Sequence, residues 1–128
     1  EGRDEKLPDL KNRYEAAIKG REWPLEMLAK TEMLKDAPAT YRAKVEKGKR
    51  GRAAAYELAL DSDRDYRAGD QVSYYVSGDK KSVPVHKAAR LVSEAGEERD
   101  ENVPYYLAKL ESLAGKFLEI DQQKEFDL

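Results

Sequence analysis

The chain has 128 residues, 39% of them charged, a formal net charge of −2 and a mean hydropathy of −0.89. That is one domain's worth of polypeptide with a thin core, and a charged fraction well above the roughly 25% usual for soluble domains argues against a large enzyme interior. The absence of cysteine excludes disulfides and thiolate metal sites, and no uncharged run approaches the roughly 18 residues of a membrane span. No signal peptide is visible, and the chain begins at Glu1 rather than Met. The expectation is a cytoplasmic single domain over 1–128, a processed or excised piece of a larger protein, with no membrane partner.

Leu7, Leu10, Tyr14, Ala17 and Ile18 recur mostly at spacings of three and four. This is the stripe of an amphipathic helix that Pro8 can open and Gly20 can end. Residues 23–28 read as a short second helix with Pro24 at its first position and Trp23 packed into the core across its start. Residues 31–36 break the pattern and read as a linker or short extended piece. A third helix opens at Asp36-Ala37-Pro38 and extends to about Leu60, with Tyr41, Val45, Ala53, Tyr56 and Leu60 as its apolar positions. Gly48 and Gly51 each cost about 1 kcal/mol against alanine in a helix interior, so a kink or break is expected there.

Val72, Tyr74 and Val76 alternate with Gln71, Ser73 and Ser77, the period of a strand with one buried face. Gly69-Asp70 and Gly78-Asp79-Lys80-Lys81 are turn residues, and Val83 and Val85 resume the alternation. The simplest reading is a β-hairpin, residues 71–77 paired with residues 82–87, Pro84 placing the second strand at an edge. Residues 88–92 read as another short strand and 93–101 as an acidic loop. Asn102 is a candidate N-cap for a last helix, with Pro104 in its first turn. Tyr106, Leu110, Leu113, Phe117 and Ile120 form the seam expected to cover the hairpin, and residues 122–128 are expected to fray. The fold class is therefore α+β, mostly helical, about four helices around a small antiparallel hairpin.

Asp61, Asp63 and Asp65 invite a metal reading, but a calcium loop wants glycine and glutamate where Tyr66 and Val72 stand. A solvated loop is the better reading. His86, the single histidine, has no assignable catalytic partner and reads as a strand-end residue. Gly48 and Gly51 fit neither phosphate-loop pattern. The strongest functional feature is the basic run of Arg42, Lys44, Lys47, Lys49, Arg50 and Arg52. A broken helix would gather these charges, and a glycine turn would bring backbone N–H groups toward phosphates. Without the break they are a solvated helix face. Tyr75 and Tyr105, flanking the buried Tyr74 and Tyr106, are candidates to stack on a base, with core-edge packing as the commoner role.

Taken in order, several stretches resemble the thumb subdomain of family B DNA polymerases, bacterial members above all. They are Trp23-Pro24-Leu25-Glu26-Met27-Leu28, Lys30-Thr31-Glu32-Met33-Leu34, Ala37-Pro38-Ala39-Thr40-Tyr41-Arg42-Ala43-Lys44 and Arg52-Ala53-Ala54-Ala55-Tyr56-Glu57-Leu58-Ala59. Gly69-Asp70-Gln71-Val72-Ser73-Tyr74 and Asp100-Glu101-Asn102-Val103-Pro104-Tyr105-Tyr106-Leu107 complete the set, from about Leu10 to Phe117. The resemblance implies a module that grips primer–template duplex through sugar-phosphate contacts near Thr31 and along Tyr41 to Arg52, with the remainder of a polymerase as its other partner. It also implies that magnesium belongs to a palm outside this stretch, so no cofactor and no catalysis are expected of the isolated chain. Glu32 departs from the pattern, because an acid facing phosphate would repel it. The alternatives are a protein-interaction module using the last helix or the hairpin edge, and a thumb whose parent has lost synthesis.

Overall fold

The computed structural model describes residues 7–126, with side chains over 8–116. The first helix, α1 (Leu7–Lys19), ends as the sequence suggests but one residue later in its geometry. Arg21, not Gly20, takes the left-handed conformation, at φ 54°. The N–H of Glu22 reaches back to the Ala17 carbonyl at 3.0 Å and that of Arg21 to Ile18 at 3.1 Å, a Schellman closure. A side chain with a Cβ tolerates this poorly, and Arg21 is held there by its contact with Glu101, described below.

The second helix, α2, is the single turn Leu25–Leu28, with Pro24 as its N-cap rather than its first residue. Trp23 is half-buried rather than a core residue, meeting Tyr14 edge-on at 5.2 Å. The stretch read as a linker or short extended piece contributes strand β1 (Lys30–Met33), which pairs antiparallel with β2 (Gln71–Val76), Lys30 opposite Tyr74 and Met33 opposite Gln71. The third strand is β3 (Ala89–Leu91), and the sheet order is β1-β2-β3.

The hairpin of residues 71–77 with 82–87 does not form. Gly78, at φ 114°, turns the chain away, and Pro84 caps a helical turn, α5 (Val85–Ala88). The partner strand comes immediately afterwards, Tyr74 opposite Leu91 and Val76 opposite Ala89. The short strand expected at 88–92 thus takes the place assigned to 82–87. Three strands rather than two give β2 a partner on each side, which suits a strand with four buried residues.

The expected long helix is two, α3 (Pro38–Glu46) and α4 (Ala54–Asp61), broken at the two glycines. They cover one face of the sheet, burying Tyr41, Ala55, Tyr56 and Ala59 against Leu34, Val72, Tyr74 and Leu91. The last helix, α6 (Val103–Phe126), takes in most of the stretch expected to fray; residues 127–128 lie outside the described residues. It lies mainly along α1, and its start meets the sheet, where the Tyr106 hydroxyl accepts the Val76 N–H at 2.7 Å. The predicted seam is correspondingly rotated: Leu113 is 53% exposed, whereas Ala114 is 6% exposed. The side chains of Phe117 and Ile120 lie outside the described residues.

Asn102 caps α6 as expected, its Oδ1 accepting the Tyr105 N–H at 3.1 Å. It is fully buried, and its Nδ2 donates to the carbonyls of Lys80 at 2.8 Å and Ser77 at 3.3 Å. Asn102→Asp keeps the cap but sets a carboxylate oxygen against those two carbonyls. The expected cost is about 1–3 kcal/mol, the penalty of buried polar groups left unpaired. Urea unfolding of the variant beside wild type measures it, and a loss under about 0.5 kcal/mol, the scatter of neutral surface changes, contradicts the account.

Candidate nucleic-acid interface

Residues 47–53 between α3 and α4 form a closed turn. Lys47 ends α3, Gly48 sits at φ 71°, the Gly48 N–H bonds the Val45 carbonyl at 3.0 Å and the Lys49 N–H bonds that of Lys44 at 2.9 Å. This is a second Schellman motif, and it needs glycine at the left-handed position. It also engages the N–H groups of Gly48 and Lys49, which are therefore not offered to an anion.

Two stacked rings support the turn. Tyr41 and Tyr56 lie parallel, 4.4 Å apart with a 5° interplanar angle, and the Arg50 guanidinium rests against both at 4.8 and 5.0 Å from their centroids. The Tyr41 hydroxyl accepts the N–H of Ala53, the α4 N-cap, at 2.8 Å and donates to Glu57 Oε2 at 2.6 Å. Burial and the adjacent Glu57 carboxylate push the Tyr41 phenol above its ordinary value. The Tyr56 hydroxyl accepts the Asp36 N–H at 3.0 Å.

The six basic residues divide by partner. Arg42 pairs with Glu46 at 3.4 Å, Lys44 with Asp36 at 2.9 Å and Arg52 with Glu57 at 3.0 Å. Lys47 and Lys49 are exposed and have no acidic partner among the described residues, and Arg50 has only the rings and the Gly51 carbonyl. The helix break sets Lys47, Lys49 and Arg50 on one turn, and these three have no carboxylate partner among the described residues.

Thr31 stands elsewhere. Its hydroxyl shares a 2.7 Å hydrogen bond with Ser73 on the open face of the sheet, opposite the face that α3 and α4 cover. The structure does not bring Thr31 together with the basic turn. Glu32 points to the side opposite Thr31, accepting from the Tyr74 hydroxyl at 2.9 Å and pairing with Lys30 at 3.0 Å. Burial pushes its carboxyl up, but hydrogen bonds from Lys30 and Tyr74 outweigh that and hold it below the usual value. Glu32 thus does not share a face with the threonine contact it seemed to threaten.

Of the two stacking candidates, Tyr75 is removed. It is 1% exposed under the loop before α6, and its hydroxyl donates to Asp100, which Arg90 also binds. Burial and that carboxylate push its phenol up to about 12. Tyr105 stays half-buried, edge-on to Tyr106 at 5.1 Å and 89°. His86 lies half-buried on α5, not at a strand end. Asp65 pairs loosely with Arg67 at 3.9 Å, and among the described residues no three His, Asp or Glu side chains are grouped to hold a metal ion.

The stacked ring pair escaped the sequence reading because Tyr41 and Tyr56 lie on different helices, at a separation no local pattern marks. The described helices include none long and apolar enough to cross a membrane. The fold defines a small α+β domain with a three-stranded antiparallel sheet. No family model matches the chain, and no curated protein matches it.

Proposed function

We propose that this domain is a non-catalytic module that grips duplex DNA through its sugar-phosphate backbone, the thumb of a family B DNA polymerase. One observation carries the reading: Lys47, Lys49 and Arg50 stand together on one capped turn with no carboxylate to neutralise them among the described residues. Exposed cations on a preorganised turn engage phosphates without reading sequence. The order of the thumb-like stretches from Trp23 to Leu107 supports the same reading. Its partners are primer–template duplex and the remainder of the polymerase, in the cytoplasm, and the metal chemistry belongs to the palm.

Each phosphate neutralised contributes about −0.9 to the log–log salt slope, so three free cations predict a slope of roughly −3. The dissociation constant is expected to be about 10⁻⁵ M or weaker at physiological salt, as for other non-specific contacts. Titration of a fluorescent blunt duplex at several low salt concentrations tests this, with Lys47→Ala/Lys49→Ala beside wild type. Arg50 is left in place because it covers the tyrosine pair. The variant is expected to lose about two units of slope. Equal slopes and affinities return the basic run to a solvated face. The exposed Met27 on α2 and Met33 on the edge strand β1 then favour a protein-interaction module.

A further inference from the structure

A cleft of about 390 Å³ lies where β2, α5 and the start of α6 meet, and the basic turn contributes nothing to it. Val76 and Val85 give it apolar surface, Tyr105 and Tyr106 aromatic walls, and Lys30 and Lys109 cationic ends. Its polar groups are available. The Tyr106 oxygen accepts the Val76 N–H, but its hydroxyl proton has no acceptor among the described residues, and the Tyr105 hydroxyl has no partner among them. Lys109 is exposed, its ammonium 5.3 Å from the Tyr105 ring centroid, with no acidic partner among the described residues. Lys30 carries its partial neutralisation from Glu32 at 3.0 Å.

We propose that this cleft binds a single unpaired nucleotide, its base against Tyr105 and the valines and its phosphate at Lys109 and Lys30. The inference goes beyond duplex gripping, since a base inside a duplex cannot present its face to Tyr105. Flat apolar walls take a flat ring, and base–aromatic stacking tolerates any base. The free hydroxyls meet ring oxygens and nitrogens, and the ammonium groups meet a phosphate. A plain hydrocarbon uses neither the hydroxyls nor the cations, and inorganic phosphate leaves the apolar walls wet. The cleft volume lies within the range usual for small-ligand sites. The Tyr105 backbone is also held in place, because its N–H is the one capped by buried Asn102, and its ring meets Tyr106 edge-on.

The probe is thymidine monophosphate, followed through backbone amide shifts of Val76, Val85, Tyr105, Tyr106 and Lys109, with thymidine and inorganic phosphate as separate arms. The nucleotide is expected to shift all five and to bind more tightly than either half alone, by at least about fivefold over inorganic phosphate, the lower bound of one stacked base. Tyr105→Leu is expected to weaken it roughly tenfold by the same measure. Lys109→Ala, an exposed change with no folding risk, is expected to weaken it several-fold. Lys47→Ala/Lys49→Ala should leave it unchanged while reducing blunt-duplex binding, which separates this site from the duplex grip. A duplex with a one-nucleotide 3′ overhang distinguishes the source: tighter binding than the blunt duplex assigns a strand end, and equal binding a free nucleotide. Absence of these shifts at millimolar thymidine monophosphate overturns the proposal. So does an unaffected Lys109→Ala, or inorganic phosphate reproducing the whole pattern.

Discussion

Arg99→Ala is expected to cost the fold about 3 kcal/mol at neutral pH, at the lower end of the range for breaking a buried ion pair. Glu101 is 1% exposed and lies between two guanidinium groups. Arg21 holds Oε1 at 2.8 Å and the Glu101 carbonyl at 3.0 Å, and Arg99 binds both carboxylate oxygens and also the Trp23 carbonyl. Removing Arg99 takes one guanidinium hydrogen bond from each buried carboxylate oxygen and leaves Arg21 on Oε1 alone. The loss stays near the lower end because Arg21 remains and both guanidinium groups are about a third exposed. Burial pushes the Glu101 carboxyl up, yet hydrogen bonds from Arg99, its own N–H and Arg21 bring it below its ordinary 4.5. A carboxyl lowered in the folded state stabilises above its unfolded pKa, and that stability is lost as pH falls through the folded value. Without Arg99 the folded value rises. The gap between variant and wild type should therefore be widest above about pH 5 and narrow toward about pH 3. Urea unfolding at both pH values measures it, and a gap that does not change with pH removes the carboxylate from the account.

This ion-pair group shows where the sequence stops being legible. Arg99 and Glu101 read naturally as part of an acidic loop, because Arg21, the other guanidinium on Glu101, is 80 residues away from it in the chain. The same distance problem hid the cover over Tyr75. Alternation set Tyr75 on the face opposite Tyr74, at the core's edge or free to stack, but Ser77 bridges to Glu101 and the Asn102 N–H bonds the Val76 carbonyl at 2.9 Å, laying a loop over that second face and burying Tyr75 outright. Strand β2 was legible because its buried residues alternate. Strand β1 was not, since none of Lys30, Thr31, Glu32 and Met33 is buried and periodicity has nothing to register. Val83 and Val85 misled because two alternating residues fit a strand and equally an extended approach to a helical turn capped by Pro84. Local punctuation fared better. The break at Gly48 and the cap at Asn102 depend on backbone geometry that a few neighbouring residues decide.

Tyr41 is the residue on which the basic turn and the core depend together, and Tyr41→Ala is expected to destabilise the domain by about 3–5 kcal/mol, the range for truncating a buried aromatic. It is fully buried, stacked on Tyr56 and covered by Arg50, so truncation opens a cavity between α3, α4 and the sheet. Tyr41→Phe separates packing from bonding. The ring stack survives, but the Ala53 N–H loses its acceptor and Glu57 a donor. The expected cost is about 1–3 kcal/mol for the group left unpaired. All six cations remain in Tyr41→Phe, so a salt slope of roughly −3 should persist. Affinity for duplex should fall nonetheless, because Ala53 is where the turn re-enters helix and a loosened N-cap lets Lys47, Lys49 and Arg50 spread before they meet phosphates. Unfolding by urea and the duplex titration, run on the same preparation, give both quantities. Weaker binding with an unchanged slope means the tyrosine lock shapes the turn. Unchanged binding in a destabilised variant means the cations act as independent charges and the lock serves the fold alone.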